Sequence, residues 1–138
     1  MAVFNKFESF VGRIGLGEDN LNTDTLKVAL TNVAPVATQT DFDPVTNHAA
    51  PAAANGYLAG GADIQNGYSE AGGVGTLSAV DVVFTAAGGQ IGPFRYAVIY
   101  NDTHGTDGLV GWYDYGSSIT LNDTESFTVD FTDLLTLQ

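Results

Sequence analysis

Between residues 91 and 131 the chain reads IGPFRYAVIYNDTHGTDGLVGWYDYGSSITLNDTESFTVDF, with aromatic and β-branched residues alternating with polar ones. The pattern predicts strands at 94–100, 109–115, 117–121 and 125–131, separated by polar turns. Upstream, residues 25–31 (TLKVALT) set Leu26, Val28 and Leu30 against Lys27, Ala29 and Thr31, a strand with one wet face. Residues 76–85 (TLSAVDVVFT) form another, and glycines at 88 and 89 and the Gly92-Pro93 pair supply turns. Six strands and one or two weaker ones, short and punctuated by turns, predict an all-β fold. The expected architecture is a single-domain antiparallel β-sandwich of jelly-roll type over residues 1–138.

Two hairpins can be registered from the pattern. Joining 94–101 to 108–115 through the loop 102–107 places Asn101 opposite Gly108. Tyr96 then faces Tyr113, Ala97 faces Trp112, Val98 faces Gly111 and Arg95 faces Asp114. Both faces of 94–100 are apolar, so this strand is central, and a charge on it needs a partner. An ion pair between Arg95 and Asp114, structural rather than catalytic, is therefore expected. In the C-terminal hairpin, matching apolar faces pairs Ile119 with Phe127 across a loop of Asn122, Asp123 and Thr124.

The ends and the middle of the chain read differently. Residues 1–20 form a short helical arm, in which Phe4, Phe7, Phe10 and Ile14 recur at three-to-four spacing and glycines limit its length. These four either cover the open end of the chain's own sandwich or dock on a neighbouring subunit, and they are the candidate partner contacts. Residues 33–73 hold three of the four prolines, the run HAAPAAANG and repeated glycines. That composition predicts a long surface loop with short strands near 56–59 and 62–68, suited to touching a partner. The tail, 132–138, with Leu134, Leu135 and Leu137, is a candidate edge strand.

Charge narrows the function. The chain has 16 acidic residues against 4 basic, a formal net charge of −12. Phosphate backbones and anionic membrane surfaces would repel it, so neither nucleic acid nor membrane is an expected partner. It has no cysteine, which removes disulfides, thiolate metal sites and cysteine catalysis. No apolar run approaches the roughly 20 residues of a membrane span, and the polar N-terminus does not read as an export signal.

Candidate chemistry is sparse. Asp102, His104 and Asp107 in NDTHGTDG could be offered to a cation, but the spacing fits no EF-hand, and Asn, Asp, Gly and Thr also build ordinary hairpin loops. His48 stands in the Ala/Pro loop without a partner in sequence. Asp102, Asp107, Asp114 and Asp123 could supply paired acids for glycoside hydrolysis, yet nothing singles out a pair. No GxSxG elbow occurs. Trp112 lies on the opposite strand face from Tyr113 and Tyr115, so the three cannot form one sugar-stacking platform, and core packing is the expected role. No catalytic residue, cofactor or metal is expected.

The segments KFESFVGRIGLGEDNLNTDTLKVAL, NGYLAGGADI, IGPFRYAVIYND and WYDYGSSITLNDTESFTVDF resemble small proteins encoded in the structural gene blocks of tailed bacteriophages, where proteins of this size resemble capsid cement (decoration) proteins of jelly-roll type. The similarity covers most of the chain and is weakest over 33–55. It implies a non-enzymatic virion protein on the outer surface of the head, assembled in the host cytoplasm. Such a protein would bridge major capsid subunits as a homo-oligomer, a dimer or trimer. The same gene blocks also encode tail-tip or fibre-associated modules that bind receptor glycans.

Overall fold

The structure, a computed structural model, describes residues 2–51, 53–131 and 134–138. In chain order these are β1 (Phe4–Lys6), α1 (Glu8–Gly15), β2 (Leu26–Thr31), β3 (Ala62–Asp63), β4 (Gly67–Ala71) and β5 (Val74–Ser78). Then come β6 (Val82–Thr85), β7 (Ile91–Asn101), β8 (Leu109–Leu121), β9 (Ser126–Val129) and β10 (Leu135–Leu137). The fold is mostly β, with one short helix and every pairing antiparallel. A five-stranded sheet has the order β1-β8-β7-β2-β3, with smaller sheets β10-β5-β4 and β6-β9. Among the described residues no helix is long and apolar enough to cross a membrane.

β7 is the centre of the large sheet, and both of its faces are covered. On one face Ala97 and Ile99 join Leu26, Val28 and Leu30 of β2, Val110 and Tyr113 of β8, and Leu77, Phe84 and Val129 from the two small sheets. On the other, Val98 and Tyr100 pack with Ala29, Phe42, Leu109 and Phe7, with Trp112 at the margin. This two-sided burial explains why residues 96–100 read as a continuous apolar run rather than an alternation. It also corrects the wet face expected on β2. Ala29 and Thr31 are buried, and the Thr31 hydroxyl donates to the Ala49 carbonyl of the overlying loop.

The β7–β8 hairpin opens as the sequence pattern predicts and then departs from it. The Asn101 N–H donates to the Gly108 carbonyl, but Tyr100 pairs with Leu109 while Ile99 pairs with Gly111. Val110 is thus an extra residue, a bulge that sends Leu109 and Val110 to opposite cores, both fully buried. Everything beyond moves by one position. Tyr113 faces Ala97, Trp112 faces Val98, and Asp114 faces Tyr96. A second irregularity follows: between the pairs Tyr96–Asp114 and Phe94–Ile119, β7 spans two residues and β8 five. Gly116, at φ +87°, lies in the excess length, where a residue with a Cβ would be strained.

Segments 109–115 and 117–121 are therefore one strand, and its C-terminal half pairs with β7 instead of forming the expected hairpin with 125–131. Ile119 meets Phe94 and Leu121 meets Ile91, whereas Phe127 of β9 meets Phe84 of β6. The chain crosses between layers at 122–125, where Asn122 accepts from the Glu125 N–H and Thr124 takes φ +76°. Face matching alone could not distinguish a hairpin from such a crossing, because both keep Ile119 and Phe127 in contact with the same core. Residues 76–85 split into β5 and β6. Of the tail, Thr132 and Asp133 lie outside the described residues, and β10 pairs with β5.

Candidate functional site

The N-terminal arm is built into the chain's own fold. β1 extends the large sheet by pairing Phe4 with Tyr113 and Lys6 with Gly111. The Phe4 ring lies over Gly111, where a Cβ would come within 2.3 Å of it. Phe7 and Phe10 are 0% and 1% exposed and enter opposite cores, while Phe4 and Ile14 pack partly buried against the main one. Partner docking as the role of these four residues is thus corrected for Phe7 and Phe10, whose rings are covered by their own chain. Aromatics at the β1–α1 junction can reach both sheet faces, because the strand ends in a helix that turns over the sheet edge.

Arg13, a residue the sequence pattern did not single out, anchors the helix. Its Nε lies 3.2 and 3.1 Å from the two Asp19 carboxylate oxygens, its Nη2 donates to the Leu109 carbonyl at 2.6 Å, and its Nη1 donates to the Ser9 hydroxyl. The Asn101 amide bridges Asp19 and Asp24 at 3.1 and 2.8 Å. Gly108 makes this approach possible, since a Cβ there would sit 2.5 Å from the guanidinium carbon. The available signal was a cation on a helix whose neighbours are apolar, followed six residues later by an acid.

The Ala/Pro loop covers the second face of the large sheet, pinned by His48. The imidazole is fully buried, stacked on Phe42 at 5.6 Å and edge-on to Phe7 at 6.3 Å. Its Nδ1 accepts from the Asp43 N–H at 3.1 Å, which leaves the proton on Nε2 to be donated to Gln39 Oε1 at 3.0 Å. Burial lowers its pKa, and the nearby Asp43 carboxylate offsets this in part. The unfolded chain binds this proton near 6.5, whereas the folded chain binds it only at lower pH. Stability from this site is therefore full above pH ~6.5 and falls as pH drops below it, by up to about 1.4 kcal/mol per unit. Urea unfolding between pH 7.5 and 5.5 should show that slope, and His48→Gln should flatten it. A wild-type profile flat across this range contradicts the assignment.

Arg95 and Asp114 form a two-pronged pair across the bulged part of the hairpin, Nε to Oδ1 at 2.8 Å and Nη2 to Oδ2 at 3.2 Å. The one-residue shift leaves them diagonal rather than opposite, and the long guanidinium spans the offset. The Arg95 hydrogen bonds, followed by one from the Gly116 N–H, hold the Asp114 carboxyl below its ordinary pKa. Both side chains are more than a third exposed, so the pair positions the bulge more than it stabilises the fold.

The loop 101–108 is acidic but internally committed. Lys27 Nζ lies 3.3 Å from Asp102, His104 Nε2 lies 3.6 Å from Glu18, and the Thr106 hydroxyl donates to Asp41 at 2.7 Å. Among the described residues no group of three or more His, Cys, Asp or Glu side chains could hold a metal ion. Trp112 contacts the Phe7 ring at 4.7 Å and Tyr113 is buried in the opposite core. Exposed apolar side chains are scattered over the acidic surface: Val11 and Leu16 around the helix, Val36, Val45 and Leu58 in the loops, and Val80 and Val83 on the β6 side. No family model matches the chain, and neither do any curated protein or solved structure.

Proposed function

We propose that this is a non-enzymatic bacteriophage virion protein that cements the outer surface of the head by bridging major capsid subunits as a symmetric homo-oligomer. The observation that carries the reading is the resemblance of the four sequence segments to small proteins of phage structural gene blocks, a setting in which proteins of this size resemble capsid cement proteins. An acidic chain with a net charge of −12 suits the outer rather than the DNA-facing side of a shell, and its exposed apolar side chains, such as Val11, Leu16, Val45 and Leu58, stand singly on that surface. The Ala/Pro loop, pinned by the buried His48, presents Val36 and Val45 outward and keeps the contacting role that its composition suggested.

The jelly-roll variety of sandwich belongs to the same proposal. It is supported by nested pairing, in which β7 with β8, β6 with β9 and β5 with β10 succeed one another outward from a single hairpin. The test is to incubate purified protein with capsids that lack it and to map the particles by cryo-electron microscopy. Regularly spaced density on the outer shell is expected. Density confined to the tail or to the inside of the shell, or no binding, overturns the proposal.

A further inference from the structure

The turn at residues 43–50 is closed on itself. The His48 N–H donates to the Asp43 carbonyl at 2.8 Å and the Ala50 N–H to the Pro44 carbonyl at 3.2 Å. The Asp43 carboxylate accepts from the Val45 and Thr46 N–H groups and from the Thr46 hydroxyl. Among the described residues only two hydrogen bonds tie this turn to the rest of the fold. One runs from His48 Nε2 to Gln39 Oε1, the other from the Thr31 hydroxyl to the Ala49 carbonyl at 2.9 Å. The segment before the turn is fastened separately, by the Phe42 N–H on the Asp107 carbonyl and the Leu109 N–H on the Thr40 carbonyl, both at 2.9 Å. The turn can therefore leave the sheet as a unit, hinged just beyond Phe42, while its neighbours stay in place.

The imidazole that docks it accommodates one proton and not two. Its Nδ1 accepts from the Asp43 N–H, so a proton there would set two donors face to face. The resulting cation would also be fully buried between Phe42, Phe7 and the neutral Gln39 amide. The one charge whose field reaches the ring is that of Asp43, and it offsets burial only in part. Hydrogen bonds from Thr46 and Val45 lower the Asp43 pKa to about 2, so this field is constant from neutral pH to mild acid. Released into water, the imidazole has no such conflict and takes up its proton near 6.5. We propose that protonation of His48 releases the turn 43–50 from the sheet while the rest of the fold persists, uncovering the Phe42 ring and moving Val45, 80% exposed, from its place on the surface. Docking is full above pH ~6.5 and weakens as pH falls, because the docked ring binds its proton less well than the free one. The inference does not depend on the capsid reading.

The test is amide hydrogen exchange of the intact protein, read by nuclear magnetic resonance at pH 7.5 and 5.5 and expressed as protection relative to the unstructured rate at each pH. The Asp43 amide, which loses its acceptor on release, should lose roughly tenfold in protection, while the Phe42 and Leu109 amides keep theirs. His48→Gln carries a carbonyl that can accept from the Asp43 N–H and never charges, so its Asp43 protection should not depend on pH. Gln39→Glu keeps the oxygen that the Val36 N–H and His48 Nε2 share but makes it an anion. The imidazolium should then stay docked, with the His48 pKa raised and Asp43 protection retained at pH 5.5. Loss of protection at Asp43, Phe42 and Leu109 together is unfolding of the domain and overturns local release. So does an Asp43 amide indifferent to pH, or a pH dependence that survives in His48→Gln.

Discussion

Deleting residues 1–17 is expected to unfold or aggregate the protein rather than leave a soluble domain that has merely lost an arm. β1 forms the edge of the five-stranded sheet, and the Phe7 N–H donates to the Val110 carbonyl at the bulge. Phe7 and Phe10 fill two separate cores at 0% and 1% exposure. Removing either ring costs about 3–5 kcal/mol, and the pair together consumes most or all of a typical stability of roughly 5–15 kcal/mol. The deletion also uncovers the ring of Tyr113 on one sheet face and that of Trp112 on the other. The single variants Phe7→Ala and Phe10→Ala give a graded version in which loss of stability should be nearly additive, because their rings contact different clusters. Chemical denaturation, with near-ultraviolet circular dichroism to follow the aromatic environment, reads both. A truncated protein with a wild-type spectrum and midpoint would place the arm outside the folding unit.

The alternation of apolar residues made the strands legible, and the doubled apolar run at 96–100 marked the central one. Both follow from side-chain period, which the chain carries locally. What the pattern could not carry was pairing. The bulge at Val110 leaves each flanking residue with a suitable apolar environment, so nothing in the alternation signals the slip. The Arg95–Asp114 pair was legible because a lone cation on a nearly apolar strand has few acids within reach, and a long side chain tolerates a diagonal offset. His48 was not legible as a buried group. Its partners Gln39 and Asp43 lie within the same loop, whose Ala, Pro and Gly composition reads as exposed until Phe42 and Phe7 are brought to it. The arm's aromatics were correctly expected to be buried. Whether in their own chain or in another's depended on β1 pairing with β8, a contact across more than a hundred residues.

Asp19→Asn is the second substitution expected to cost heavily, although it changes a single atom type. The Asp19 side chain is 0% exposed and that of Arg13 8%. Neutralising the acid leaves a buried guanidinium without its counter-charge, held by the Leu109 carbonyl, the Ser9 hydroxyl and at most the one amide oxygen that Asn keeps. It also turns one acceptor of the Asn101 amide into an ambiguous partner. Breaking one side of such a pair costs about 3–5 kcal/mol, because an uncompensated charge remains in a low dielectric. Arg13→Met alone should be similarly damaging, since Asp19 would then keep only the Asn101 donor. The double variant Arg13→Met with Asp19→Asn removes both charges and should cost less than the sum, with an interaction energy of about 0.5–3 kcal/mol. Because the pair is shielded from solvent, 0.5 M sodium chloride, a salt level well above the roughly 0.1 M at which the Debye length is ~10 Å, should leave these differences nearly unchanged. Urea unfolding of the four proteins at low and high salt tests the whole scheme. A loss for Asp19→Asn below ~1 kcal/mol, or one that salt abolishes, would mean that the pair behaves as a surface contact and that the helix is held by Phe10 and Phe7 alone.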